Sequence, residues 1–61
     1  MEKFEYKIET YFNHELAQIQ TQRYLNEQGR EGWELVNLEI RYAVDQPTEV
    51  NRRRFYFKRK L

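Results

Sequence analysis

The sequence predicts an α+β fold in which one helix packs on a three-stranded, largely antiparallel sheet, with the elements in the order β-α-β-β. Two segments near the ends of the chain alternate between apolar and charged side chains, which is typical of strands with one buried face. Residues 14–28 contain no glycine or proline and are rich in good helix formers. A chain of 61 residues makes one small domain, which we expect to span residues 1–61.

The first predicted strand covers residues 3–12. Phe4, Tyr6, Ile8 and Thr10 fall on one of its sides, and Lys3, Glu5, Lys7 and Glu9 fall on the other. A period of two residues indicates a strand that buries one face and exposes the opposite one. We therefore expect Tyr6 and Ile8 to belong to the core.

A helix is predicted to follow, with Asn13 as its N-cap and Glu15 near its positive end. We expect Gly29 to adopt the left-handed conformation just after the last turn. One stripe of this helix is weakly apolar because glutamines dilute it; its members are Ala17, Thr21, Tyr24, Leu25 and Gln28. A helix that begins nearer Thr21, with a loop before it, is therefore an alternative.

A second strand is predicted over residues 33–40, and Gly32 allows a tight entry into it. Trp33 and Leu35 share one face of this strand, whereas Val36, Leu38 and Ile40 share the other. The change of face predicts a β-bulge, which we favour for a monomer, or cover on both faces, which we favour for an oligomer. We place Trp33 and Leu35 in the core beside Leu25, because a lone tryptophan carries much of the apolar burial of a small domain.

The last strand is predicted over residues 53–60, after a turn at residues 45–48 that contains Pro47. Phe55 and Phe57 point to one side of this strand, so we expect them in the core. The opposite side carries Arg54, Tyr56 and Lys58. The last two strands most simply form an antiparallel hairpin with a long loop.

Because the chain is small, its hydrophobic core is expected to supply only about 3–5 kcal/mol of net folding stability. A second source of stability, such as disulfides, a metal or self-association, is then needed. The chain contains no cysteine and a single histidine, His14, which excludes disulfides, thiolate metal sites and a multi-histidine site within one chain. Self-association is the remaining source, so we predict a homo-oligomer and expect no cofactor or metal. No stretch approaches the ~20 apolar residues of a membrane span, no signal peptide is readable, and the lack of cysteine fits a cytoplasmic location.

The charge of the chain is unevenly distributed. Residues 51–61 hold six of the eleven basic residues and no acid, whereas all ten acids lie in residues 1–50. Such a basic segment fits an anionic ligand, and the candidate ligand-binding residues are Arg53, Arg54, Tyr56, Lys58 and Arg59. The alternative interpretation is structural: the bases guard an edge strand against aggregation, or they pair with acids of flanking strands at Glu5, Glu9, Glu34 and Glu39.

Three tyrosines are candidates for the oligomer interface, namely Tyr11, Tyr42 and Tyr56. We expect them on the less buried face of the sheet or near its rim. Exposed aromatic side chains beside arginine are typical of interface centres, which favours contact between subunits. Contact with a ligand is the alternative for the same three side chains.

Three segments of the chain resemble a small bacterial and phage family known as the domain of unknown function number 4177. The specific part covers residues 25–36, with the order Leu-Asn-Glu-Gln-Gly-Arg-Glu-Gly-Trp-Glu-Leu-Val. The segments Glu5-Tyr6-Lys7-Ile8 and Phe55-Tyr56-Phe57-Lys58-Arg59 are weaker matches. The resemblance implies a strand-helix-strand-strand fold and no activity. Gln28 stands where the family usually has an apolar residue, and the run Arg52-Arg53-Arg54 is not part of the family pattern.

We predict a non-enzymatic, homo-oligomeric binding protein that captures a phosphate-bearing small molecule, such as a nucleotide, on basic, tyrosine-containing surfaces at subunit junctions. One alternative is a structural or protein–protein interaction module without a small ligand. Another is weak nucleic-acid binding, against which the acidic remainder of the chain argues. An enzyme is not predicted, because the sequence has no nucleophile elbow, phosphate loop or metal-ligand spacing, and His14 beside Glu15 has no second histidine or cysteine to support it.

Overall fold

The computed structural model describes residues 1–12, 18–45 and 50–61; for residues 18 and 19 it describes the backbone alone. Strand β1 spans Phe4–Phe12, helix α1 spans Gln18–Arg30, strand β2 spans Glu34–Tyr42 and strand β3 spans Val50–Lys60. The strands form one sheet in the order β1-β3-β2, and both outer strands are antiparallel to β3. The predicted α+β fold, with one helix on a three-stranded antiparallel sheet, is confirmed.

The basic strand β3 lies in the centre of the sheet. The interpretation of its bases as guards of an edge strand is therefore wrong. The hairpin with β2 places one neighbour beside β3, and β1 occupies the other side in antiparallel register from Phe4 opposite Lys60 to Phe12 opposite Arg52. Residues 46–49 lie outside the described residues, and with them most of the predicted turn at residues 45–48, including Pro47.

Helix α1 ends in a glycine-dependent turn that lies three residues later than predicted. Gly29 is helical, whereas Gly32 has the left-handed φ of 90°. The Trp33 N–H donates to the Gln28 carbonyl over 2.9 Å, and the Gly32 N–H donates to the Gly29 carbonyl over 3.0 Å. These two bonds define a Schellman C-cap, which satisfies the carbonyls at the end of the helix. The predicted cap residues Asn13 and Glu15 lie outside the described residues.

A β-bulge in β2 confirms the prediction made for a monomer. Leu35 is opposite Phe57, but the next pair joins Asn37 to Tyr56, so Val36 is an extra residue. The extra residue resets the alternation of faces along β2. Leu35 and Leu38 therefore lie on the same side of the sheet, opposite Phe57 and Phe55, although they are three residues apart. A second register shift lies between Arg41 and Tyr42, near the end of the strand.

The core lies between α1 and the sheet and is centred on two phenylalanines. Phe55 is 0% exposed and Phe57 is 1% exposed, as expected from the sequence. The ring of Tyr24 on α1 meets both of them edge-on, at centroid distances of 5.2 Å and 6.0 Å respectively. Tyr11 completes the cluster, since its ring centroid lies 5.4 Å from that of Tyr24. Edge-to-face arrangements at these distances are favourable for aromatic pairs.

The prediction that Tyr6 and Ile8 belong to this core is wrong. Tyr6 is 70% exposed and Ile8 is 60% exposed, because they lie on the sheet surface opposite α1. The register explains their position, since Phe55 and Phe57 are paired with Glu9 and Lys7 and opposed residues share a face.

The other predicted core residues are intermediate cases. Leu35 is 38% exposed, since it lies on an outer strand, and its assignment to the core is wrong. Leu25 on α1 and Trp33, which follows the helix, are half-buried. In the part of the chain that the structure describes, no helix has the length and apolar character needed to cross a membrane.

Candidate interaction surface

The alternation of β3 divides the predicted basic site between the two surfaces of the sheet. Arg53 and Arg59 lie on the helix face, which is the surface that carries Phe55, Phe57 and α1. Arg54, Tyr56 and Lys58 lie on the open face, which is the opposite surface. Successive side chains in a strand point to opposite faces, so five residues from one strand do not converge on one ligand. Within one subunit, the five residues therefore do not form a single surface.

Arg59 is part of the fold on the helix face. Its Nη2 donates to Glu5 Oε1 over 2.8 Å, and its Nη1 donates to the Glu31 carbonyl over 3.2 Å. The guanidinium also lies 4.2 Å from the centre of the Trp33 ring. Planar guanidinium groups bind carboxylates and stack on aromatic faces in this way. Arg59 thus ties β1, the helix terminus and Trp33 to the central strand.

Arg53 lies at the other end of the helix face. It borders a groove of about 470 Å³ between α1 and β2, which is lined by Thr21, Gln22, Leu25, Leu38, Ile40 and Arg53. The backbone of α1 lies closer to β2 than to the other two strands.

A polar network that the sequence analysis missed joins α1 to β1. The Tyr24 hydroxyl donates a hydrogen bond to Glu9, and Lys7 donates one to the side-chain amide of Gln28. Lys7 Nζ also lies 3.4 Å from Glu9 Oε1 and 4.6 Å from the centre of the Trp33 ring. Burial, followed by the hydrogen bond to Glu9, raises the pKa of Tyr24 above its ordinary value of 10.0. The sequence signal was present, because Tyr24 and Gln28 are four residues apart on a helix and Lys7 and Glu9 share one strand face.

The centre of the open face is apolar and uncovered. It contains a depression of about 360 Å³ to which Tyr6, Ile8, Val36 and Tyr56 contribute. Phe4 and Phe12 continue the same surface along β1, and both are exposed. Lone exposed apolar residues are normal on protein surfaces, but a contiguous apolar patch rimmed by polar residues marks an interaction site.

Charged side chains lie at both ends of the open face. At one end Glu39 Oε1 is 3.9 Å from Arg52 Nη2 and 3.8 Å from Arg54 Nη1. At the other end Lys58 Nζ is 3.9 Å from Glu34 Oε2. The Lys60–Glu2 pair, at 3.1 Å, lies beyond Lys58. The open face therefore has an apolar centre between two ends that each carry both signs of charge.

The acids predicted as partners of β3 behave in two ways. Glu5, Glu34 and Glu39 pair with Arg59, Lys58 and Arg54 respectively, as the structural interpretation of the basic segment expects. Glu9 instead accepts from Tyr24 and pairs with Lys7. Partly exposed ion pairs contribute little stability individually. Their main consequence is that much of the basic charge of β3 is already balanced within the chain.

The three tyrosines predicted at an interface occupy different places. Tyr11 packs under α1 against Tyr24 and Phe55, so its assignment to the less buried face is wrong. The reason is its register opposite Arg53, which sets it on the helix face. Tyr56 lies half-buried in the centre of the open face, and Tyr42 is exposed at the end of β2.

The described residues contain no group of three or more histidine, cysteine, aspartate or glutamate side chains arranged to hold a metal ion. His14 and Glu15 lie outside these residues. Comparisons with curated proteins and with solved structures return no match. The family model described as "Domain of unknown function (DUF4177)" matches residues 4–60, and the chain therefore belongs to this family.

Proposed function

We propose that the protein is a non-enzymatic, homo-oligomeric binding protein whose open face packs against the open face of a second copy. The observation that carries this proposal is the uncovered apolar centre formed by Tyr6, Ile8, Val36 and Tyr56. In the part of the chain that the structure describes, a helix covers one surface of the sheet and no element covers the other. An apolar sheet surface is stabilised by a second layer. The non-enzymatic character and a cytoplasmic location are predictions from the composition and motifs of the chain.

The amount of exposed surface supports this packing. The chain exposes 5015 Å², whereas a compact monomer of 7.7 kDa exposes about 4,300 Å². The difference of about 700 Å² is close to the roughly 800 Å² that each partner buries in a standard protein–protein interface. The exposed apolar residues of the open face, among them Tyr6, Ile8 and Val36, contribute to this excess, and an interface with a second copy would remove them from water.

The distribution of charge also fits a second copy. An interface between identical copies requires a self-complementary surface, and specific interfaces have an apolar centre with a polar rim. A two-fold axis that lies between the sheets and runs across the strands brings each apolar centre onto the other. The same axis brings the end with Arg52, Arg54 and Glu39 opposite the end with Glu34 and Lys58 of the other copy. Each end carries acids and bases, so opposite charges are available on both sides.

The test is the oligomeric state of two matched variants, measured by sedimentation equilibrium. Val36→Asp places a carboxylate in the apolar centre, whereas Val44→Asp changes a residue that is 101% exposed in the loop after β2. We expect self-association of the unmodified protein at micromolar concentration, a loss of about tenfold or more in affinity for Val36→Asp, and no change for Val44→Asp. Equal association of both variants and the unmodified protein would overturn face packing.

Capture of a phosphate-bearing small molecule is a second candidate, favoured by a surplus of positive charge on the open face. Among the described residues, five basic side chains lie there against three acids: Arg41, Arg52, Arg54, Lys58 and Lys60 against Glu2, Glu34 and Glu39. The open-face contacts of Glu34 and Glu39 are long, at 3.8–3.9 Å. Packing of two copies would bring both surpluses to the junction, where a phosphate offers charge-assisted hydrogen bonds.

This second function is tested by calorimetry and thermal shift at low salt with mono-, di- and cyclic nucleotides. We expect binding by the unmodified protein, a marked loss for Arg54→Gln on the open face, and little loss for Arg53→Gln on the helix face. The two variants remove the same charge from adjacent positions, so only the face differs. No heat and no shift with any nucleotide would eliminate this candidate and leave the assembly proposal intact.

A further inference from the structure

The two outer edges of the sheet differ in how well they can accept another strand. The edge formed by β2 is interrupted by the bulge at Val36, and the adjacent Asn37 Oδ1 accepts the Leu38 N–H over 2.9 Å. A β-bulge breaks the regular spacing of the backbone groups along an edge, and a side chain that bonds a backbone N–H occupies one donor. Both features protect a sheet edge from pairing with another strand. Strand β1, in contrast, pairs with β3 in unbroken register along all nine residues of Phe4–Phe12. Its outer side is a regular row of backbone donors and acceptors.

The sequence of β1 is complementary to itself when reversed about Ile8. In an antiparallel pair of two copies with Ile8 opposite Ile8, Lys7 of each copy lies opposite Glu9 of the other. The same register sets Tyr6 opposite Thr10, Glu5 opposite Tyr11 and Phe4 opposite Phe12. Opposed residues share a face, so the two Lys7–Glu9 pairs fall on the helix face, and the Ile8–Ile8 and Phe4–Phe12 pairs fall on the open face.

The neighbouring registers are unfavourable. The two copies keep their open faces on the same side only if the register shifts by two residues at a time. A shift in one direction puts Lys7 opposite Lys7 and Glu5 opposite Glu9. A shift in the other direction puts Glu9 opposite Glu9. Like charges directly opposite each other destabilise a strand pair, so the axis at Ile8 is selected by charge.

We infer that β1 pairs antiparallel with β1 of a second copy about a two-fold axis at Ile8. The product is a continuous six-stranded sheet in the order β2-β3-β1-β1-β3-β2, with both helices on one surface and both open faces on the other. The backbone of α1 comes close to β2 but not to β1, and the helix reaches β1 through side chains that bond to Glu9 and Lys7. The backbone of the β1 edge is therefore left accessible. The inference uses the backbone of the edge and does not depend on the packing of open faces.

The absence of native cysteine makes the axis directly testable by disulfide formation. Opposed residues of an antiparallel pair have Cα atoms about 4.5–5.5 Å apart, within the ~4.4–6.8 Å that a disulfide spans. Two sheets packed face to face lie about 10 Å apart, which is too far. Ile8→Cys in oxidised glutathione is therefore expected to give a covalent dimer, and Thr10→Cys alone is not. A mixture of Thr10→Cys and Tyr6→Cys is expected to give the mixed dimer.

Equal cross-linking of Ile8→Cys and Thr10→Cys would overturn the inference, and so would a folded Ile8→Cys that forms no covalent dimer. Val36→Asp added to Ile8→Cys separates the two interfaces, since it weakens face packing and is expected to leave this cross-link in place. A charge exchange gives a second measurement. Lys7→Glu and Glu9→Lys are each expected to lose edge association and to associate with each other when mixed, provided both retain their circular dichroism. Mixed folded chains that stay apart would contradict the register.

Discussion

The hydroxyl of Tyr24 donates a hydrogen bond to the carboxylate of Glu9, and this bond joins the helix to the outer strand β1, whereas the helix backbone lies closer to β2. The aromatic ring of the same Tyr24 packs on Phe55 and Phe57 of the central strand. One side chain therefore contributes apolar packing to β3 and a directional polar contact to β1. The second polar contact to β1, from Lys7 to Gln28, lies one helical turn further along α1.

Removal of the Tyr24 hydroxyl is expected to destabilise the fold. Tyr24→Phe keeps the ring in the aromatic cluster but leaves the Glu9 carboxylate without its donor, which costs about 1–3 kcal/mol for a partly buried charged group. The free energy of unfolding, measured in urea, reports the loss. Tyr42→Phe is the control, since Tyr42 is exposed, and it is expected to stay within about 0.5 kcal/mol. Equal stability of the two variants would show that the Tyr24–Glu9 bond contributes nothing.

Stability is expected to fall at alkaline pH through Tyr24. Its folded pKa is raised above the ordinary value of 10.0 by burial and by Glu9, so the unfolded chain loses this proton first. The contribution is therefore constant below about pH 10, and stability then falls as pH rises, by up to about 1.4 kcal/mol per pH unit for one proton. Urea unfolding between neutral and alkaline pH measures the slope.

The matched comparison again uses Tyr24→Phe and Tyr42→Phe. The first variant removes the group with the raised pKa, so its stability is expected to fall less steeply above pH 10 than that of the unmodified protein. The second variant is expected to keep the full slope. Phenolate absorbance provides an independent readout, because Tyr24 is expected to ionise only as the chain unfolds. A Tyr24 that ionises near pH 10 in the folded protein would contradict this prediction.

Alternation along each strand was sufficient to predict the strands, but it did not identify which face of β1 the helix covers. Phe55 and Phe57 set the buried face of β3, and the register then brings Lys7 and Glu9 of β1 onto that face. The more apolar set, with Tyr6 and Ile8, is left on the open face. Register between distant strands is a tertiary property, and the hydrophobic pattern of one strand does not contain it.

The end of the helix shows a second limit of local sequence reasoning. Two glycines are compatible with a left-handed cap, and the helical pattern alone favours the earlier one, Gly29. The structure uses Gly32, because the Trp33 N–H then reaches the Gln28 carbonyl and Trp33 meets the Arg59 guanidinium. The bulge at Val36, in contrast, was predictable, because apolar residues change face within one strand.

Replacement of Arg59 by lysine is expected to destabilise the protein although the charge is kept. A lysine ammonium lacks the planar group that now contacts Trp33, Glu5 and the Glu31 carbonyl at once. Loss of the stacking and of one hydrogen bond is expected to cost about 1–2 kcal/mol. Thermal unfolding followed by the fluorescence of Trp33, the single tryptophan of the chain, measures the change.

The control for Arg59→Lys is Lys60→Ala. Lys60 makes a solvent-exposed pair with Glu2, and such pairs contribute about 0–1 kcal/mol. Lys60→Ala is therefore expected to change stability much less than Arg59→Lys, even though it removes a full charge. A larger effect at position 60 would show that net charge, rather than the geometry of Arg59, determines the stability of this part of the sheet.

The two glycines at the C-terminal end of the helix, Gly29 inside it and Gly32 after it, are expected to respond to alanine with opposite signs. Gly32 has a φ of 90°, and a Cβ added there would lie 3.3 Å from Arg59 Cδ, so Gly32→Ala combines backbone strain with a close contact. We expect a loss of about 1–2 kcal/mol or more. Gly29 is helical with open space around its Cα, so Gly29→Ala is expected to stabilise by about 0.5–1 kcal/mol. Urea unfolding of the two variants measures both changes, and a stabilising Gly32→Ala would show that this turn does not need a left-handed residue.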